Sequence, residues 1–276
     1  MGGICSASRA TERGTADMVR SLLIRGMLVG VVAGLLTFGF SKVFGEPQVD
    51  RAIAFETQLD EARAAQDAAK GMHHEDEPEL VSRSVQAGLG LFTGVVVYCT
   101  AFGGLFALVF AAANGRVGKC SPRTTAALLA GAGFVAIYLV PALKYPANPP
   151  SVGQPDTIDQ RTALYFAMML VSIAAMVGAV MLRNLLARRR DAWFAALIAG
   201  AGYLVVVFVA QLLLPSIDEV PEQFPAVLLW NFRIASLGTQ VVMWTTLGLL
   251  FGWLTERAVA RQRGSARNMR FAATQS

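Results

Sequence analysis

The sequence predicts an all-α integral membrane protein: six transmembrane helices arranged as three hairpins, with a long helical first outer loop. Three observations predict it. The chain is 54% hydrophobic and only 16% charged, where a soluble domain carries about 25% charged residues. The charges cluster between long apolar runs, each with the roughly 20 residues that a helical span needs. Lysine and arginine also concentrate in alternate connections, which sets an orientation as well as a number of spans.

The runs lie near 22–44, 86–113, 124–143, 162–182, 192–214 and 233–254. The first is too long for the apolar region of a signal peptide, and no A-x-A-like site follows it, so it reads as an uncleaved span. Residues 1–20 form a tail with Arg9, Arg13 and Arg20. The second connection carries Arg116, Lys119 and Arg123, and the fourth carries Arg183 and Arg188 to Arg190. After the membrane domain, 21–255, a basic tail of 256–276 holds Arg257, Arg261, Arg263, Arg267 and Arg270. Connections one, three and five are acidic or near neutral. Both termini are therefore expected in the cytoplasm, and the high pI of 9.4 reflects these clusters, not nucleic-acid binding.

The first outer loop, 45–85, opens "GEPQVDRAIAFETQLDEARAAQDAAKG". Pro47 suits the first turn of a helix, Glu46 its N-terminal dipole and Gly71 its end, which predicts a helix over about 47–70. Val49, Ala52, Ile53 and Leu59 give it a short apolar stripe, set against the membrane surface or the bundle. Pro78 is expected to start the helix that becomes the second span. Farther on, "ALLAGAGFVAIYLVPALKYP" (127–146) matches "ALIAGAGYLVVVFVAQLLLP" (196–215) without a gap. A proline-rich acidic connection follows each copy, and Arg161 or Arg233 opens the next span. Spans three–four and five–six thus read as two parallel copies of one hairpin, as transporters often contain. Glycines at four-residue spacing, Gly26, Gly30 and Gly34, and Gly248 and Gly252, predict close helix contacts.

The only two histidines, His73 and His74, stand in "GMHHEDEPE" with Glu75, Asp76, Glu77 and Glu79. Imidazole nitrogen with carboxylate oxygen is a donor set for cobalt, nickel or zinc. No fixed ligand spacing is present, and from residue types alone a solvated acidic turn is the stronger reading. No span holds a histidine, aspartate or glutamate near its middle. That excludes a bis-histidine haem and a carboxylate proton relay. Lys144, Arg161 and Arg233 sit at span edges, where snorkelling accounts for them. Cys99 reads as a small core residue, and Met168, Met169, Met176 and Met243 as core packing. No phosphate loop, nucleophile elbow or zincin motif occurs, so the chain reads as no enzyme, without a resident cofactor.

Several stretches resemble the CbtA family, described as cobalt transporter subunits of bacteria. They are "FGEPQVDRAIAFE", "VSRSVQAGLGLF", "GGLFALVFA", "YLVPALKYPANPPSVGQPDTIDQRTALYF" and "EVPEQFPAVLLWNFRIASLGTQ". The resemblance covers about 18–255, with "PALKYPANPP" its most specific element, and makes Met18 a natural start ahead of which 1–17 is an extension. It implies a subunit for uptake of cobalt or another divalent metal ion in the bacterial cell (inner) membrane, in contact with membrane lipid. It also implies a small single-span CbtB-like partner, linked to cobalamin. His73, His74, Glu75, Asp76 and Glu77 match in kind the histidine and acidic residues of the family's first outer loop. The rival reading is a non-transporting membrane scaffold or a metal-binding accessory protein.

Overall fold

A computed structural model describes residues 2–68, 82–116, 120–150, 152–153 and 155–273. Among these residues there is no strand, and six helices are long and apolar enough to cross a membrane. Helix α1, Gly2–Phe40, runs through a π-helical turn, Ser41–Gly45, directly into α2, Glu46–Ala68. The helix expected in the first connection is thus a continuation of the first span. Inside an α-helix Pro47 would clash with a carbonyl one turn back. The π turn ends at Gly45, so Pro47 instead falls in the first turn of α2, where a missing N–H is harmless. Pro78 and Gly71 lie outside the described residues.

The second span comprises Arg83–Val85, a π turn Gln86–Gly90, and α3, Leu91–Ala113. The third comprises α4, Pro122–Gly133, a π turn Phe134–Leu139, and α5, Val140–Lys144. The last three are uninterrupted: α6, Ile158–Leu186, α7, Ala192–Leu213, and α8, Ala226–Ala273. Asp191 caps α7 by accepting from Trp193 N at 3.0 Å, which satisfies one of the free N–H groups of a helix start.

The chain divides into two compact units. The first gathers Met1–Leu36, Val95–Gly133 and Met243–Ser276. Its helices touch through the glycines that the sequence singled out. A Cβ at Gly26 would strike the carbonyl oxygen of Gly103, and one at Gly30 that of Cys99; at Gly34 it would lie 2.8 Å from Val96 Cα. A Cβ at Gly248 would lie 2.6 Å from Ala130 Cβ, and one at Gly252 3.1 Å from Arg123 Cα. Backbones meet backbones here, the arrangement that small residues permit between helices in lipid. Beside these contacts Phe251, fully buried, stands edge-on to Phe106 and Phe110 with centroids 5.4 and 5.1 Å away.

The second unit gathers Thr37–Gly94 and Phe134–Val242. Val140, Tyr145, Met168, Tyr203 and Val207 form its main core, and Met168 is completely buried, a packing residue as expected. A second cluster joins Ala52 of α2 to Val152, Phe224 and Leu228. Of the stripe on α2, Ala52 is the residue that packs in this cluster, with Phe55 beside it. All three described π turns carry residues of this unit. Lys42 in the first donates to the carbonyl of Ala87 in the second at 3.0 Å, and Ser41 Oγ meets Thr239 Oγ1 at 3.1 Å. The carbonyl of Ile137 in the third accepts from Tyr165 at 3.5 Å. A π turn departs from the i→i+4 ladder, and here the Ala87 and Ile137 carbonyls also accept from donors on other helices.

The matched segments of α4 and α7 agree at first. Ala126 and Ala130 are buried like Ala195 and Ala199, and a Cβ at Gly131 or Gly200 would meet open space. They then part. Gly133 abuts the Trp244 ring, whereas the nearest atom to a Cβ at Gly202 is 4.0 Å away. Buried positions continue every four residues in α7, at Tyr203 and Val207, but step from Ala130 to Ala136 and Val140 in the third span. The π turn Phe134–Leu139, with its i→i+5 bonding, is the physical cause of that shift.

Candidate functional site

His73, His74, Glu75, Asp76 and Glu77 all lie in the 69–81 segment, outside the described residues. Among the described residues no group of three or more His, Cys, Asp or Glu is placed to hold a metal ion. The described flank of that segment is an ion-pair cluster. Arg83 Nη2 donates to Glu46 Oε2 at 2.6 Å and to Asp50 Oδ1 at 2.9 Å, and Arg83 Nε reaches the same Asp50 oxygen at 3.1 Å. Glu46 and Asp50 are four residues apart on α2, so one guanidinium reaches both. The Glu46 bond is largely shielded from water and the Asp50 bond is open, so most of the tether's strength lies in the first.

A cavity of about 870 Å³ opens among the proline-rich connections of the second unit. Its charged lining is Lys144, Arg161, Arg233, Asp218 and Glu219. Lys144, the last residue of α5, donates to Ser216 Oγ at 2.9 Å, and the Tyr145 hydroxyl donates to the Pro215 carbonyl at 2.8 Å. Burial pushes the Tyr145 phenol up from its ordinary range, which keeps it a donor. Arg233 on α8 donates from Nε to the Ala147 carbonyl at 3.3 Å and from Nη2 to Asn148 Oδ1 at 3.0 Å. Arg161, in the first turn of α6, pairs with Glu219 at 3.4 Å. These bonds pin the two proline-rich connections to the helix ends around them.

Gly153 makes room for that ion pair. Its φ of +117° lies in the region that glycine alone adopts readily, and a Cβ there would run into the Arg161 guanidinium. Gly153→Ala is expected to cost about 1–3 kcal/mol, the usual range for strained backbone. Thermal unfolding in detergent should show it as a lowered midpoint; an unshifted midpoint would mean that the connection yields freely.

The cavity's donor set does not suit a bare transition-metal ion. Three cations line it against two carboxylates, one of them already held by Arg161, and no imidazole or thiolate is among the lining residues. Coulomb repulsion and hard oxygen donors both weigh against a divalent ion of that kind. Sequence reasoning assigned Lys144, Arg161 and Arg233 to snorkelling and so missed their convergence. The signal that pointed to it was the repeat, which places an arginine after each proline-rich acidic connection.

No curated protein and no solved structure matches this chain. The family model described as "Probable cobalt transporter subunit (CbtA)" matches residues 19–256. That stretch takes in all six apolar runs, the Glu46–Arg83 tether and the whole cavity. On that match, and with six membrane-length helices in place, the chain is a multi-pass membrane protein that belongs to the CbtA family of cobalt transporter subunits.

Proposed function

We propose that this protein is the membrane subunit through which a cell takes up cobalt or a related divalent transition metal ion, with His73, His74, Glu75, Asp76 and Glu77 as the capture site. The observation that carries the reading is the family match across the whole membrane domain. Capture in a connection suits spans whose apolar runs hold no histidine or carboxylate near their middle, since a charged ligand there costs about 2.5–3.5 kcal/mol on insertion scales. The arginine clusters favour an orientation with both termini in the cytoplasm and the capture segment outside a bacterial inner membrane. A transporter subunit needs a partner, and a small single-span CbtB-like protein is the partner proposed. Without a phosphate loop in this chain, energy for uptake comes from a gradient or from another subunit.

Cobalt uptake by cells expressing the protein, with and without the partner, tests the reading. Replacing His73 and His74 together with alanine should raise the cobalt concentration for half-maximal uptake at least about tenfold, because even a ligand's supporting residue is worth 10–100-fold. Membrane insertion should be unchanged. Uptake should also weaken below about pH 6, as protonated imidazole loses its lone pair. Wild-type uptake in the double variant at limiting cobalt would reduce the segment to a solvated acidic turn. No uptake by the wild type with its partner present would leave a scaffold or accessory role.

A further inference from the structure

We propose a second site, independent of the transport reading: a cavity of the first unit that binds the phosphate headgroup of an anionic phospholipid. The cavity measures about 380 Å³ and is lined by Arg25, Trp253, Leu254, Arg257, Ala258 and Arg261. Leu254, Arg257, Ala258 and Arg261 recur every three or four residues along α8, so they share one helix face. Arg25 comes from α1, three residues inside the apolar run that begins at Leu22. Both helices thus deliver guanidinium groups at the ends of their apolar runs, the depth at which lipid headgroups lie.

Three cations line this cavity, and no carboxylate does. Arg25 is half-buried, and its contacts are long and neutral: Nη1 to Thr255 Oγ1 at 3.4 Å and Nη2 to Ser21 Oγ at 3.5 Å. Arg257 lies over the Trp253 ring, 3.9 Å from its centroid, a stacking that orients the guanidinium plane without neutralising it. None of the three arginines makes an ion pair among the described residues. Three unneutralised like charges around one space repel each other, and an anion between them removes that repulsion. Guanidinium forks match phosphate oxygens two at a time.

The remaining lining selects a lipid over a free phosphate. Trp253, Leu254 and Ala258 form an apolar wall continuous with the last span, suited to the first carbons of an acyl chain. Tryptophan beside arginine is also the usual furnishing of a membrane interface. Basic pockets between membrane helices bind anionic headgroups by this combination of charge and apolar wall.

Native mass spectrometry of the full-length protein, released from micelles holding equal phosphatidylglycerol and phosphatidylcholine, tests the site. The wild type should retain one phosphatidylglycerol in preference to phosphatidylcholine, less so as salt rises. R257Q/R261Q should bind phosphatidylglycerol about thirty-fold more weakly, since each basic side chain near an anionic headgroup is worth roughly a factor of five. R257K/R261K, which keeps the charge but loses the fork, should fall between. Equal retention of the two lipids by the wild type would overturn the proposal without any variant, and so would undiminished retention by R257Q/R261Q. Displacement of the lipid by millimolar inorganic phosphate would overturn it too, because the ligand would then be a soluble phosphate.

Discussion

Gly30→Leu is expected to destabilise the first unit strongly. The added Cβ would strike the Cys99 carbonyl and lie 2.8 Å from Thr100 Cα. These neighbours are backbone atoms, so no side-chain rotation relieves the clash, and α1 must move away from α3. Overpacking alone costs about 1–3 kcal/mol. Separation would also release the contact of Gly26 with Gly103, so a loss of about 3 kcal/mol or more is expected. Gly39→Leu is the control, because a Cβ at Gly39 meets nothing within 4 Å. A fluorescence-detected melting curve in mild detergent should show a large drop for the first variant and almost none for the second. Equal midpoints would mean that the glycine seam of α1 is not what holds the helices together.

Arg161→Ala is expected to destabilise the second unit by about 1–3 kcal/mol, the range for a largely buried polar group that loses a hydrogen-bonding or charged partner. Glu219 has only 9% of its side chain exposed, so little water can replace the lost guanidinium. Replacing both Arg161 and Glu219 with leucine should recover much of the loss, because apolar pairs of similar volume often substitute for buried ions. A double-mutant cycle isolates the coupling. Arg63→Ala offers the contrast: its pair with Asp60 is 72% and 63% exposed and should matter by less than about 1 kcal/mol. If Arg161→Ala cost no more than Arg63→Ala, the cavity's ion pair would be a surface feature.

The spans were legible because a membrane helix needs little besides length and apolarity, and each run met both conditions. The glycine seams were legible for a related reason: Gly26, Gly30 and Gly34 share one helix face whatever lies opposite. The π turns were not legible. Phe134–Leu139 is made of the same apolar residues as the α-helices on either side, and only Pro47 hinted that the first helix could not run regularly through Gly45. The chemistry of His73 and His74 could be read from residue type, but their surroundings could not, since a short polar segment has no periodicity to fix its path. The cavity was half legible. Arg161 and Arg233 stood out in the repeat, yet their convergence depends on the path of the proline-rich connections and on one glycine with positive φ, Gly153.

Consider what a single deletion would do at Gln86–Gly90. Shortened by one residue, that turn could close into regular α-helix with Arg83 still facing Glu46 and Asp50, because five residues at the wider π spacing sweep about the same angle as four at about 100° each. A deletion within Leu91–Ala113, where no wide turn absorbs it, would instead swing Arg83 by about 100° and carry its guanidinium away from Glu46 and Asp50. The wide turn thus works as slack, taking up one residue without turning the helix that precedes it. When homologous chains are aligned, a one-residue gap at Gln86–Gly90 should be weighed as neutral for the Arg83 pairs, whereas the same gap in the regular helix after it should be weighed as a rotation.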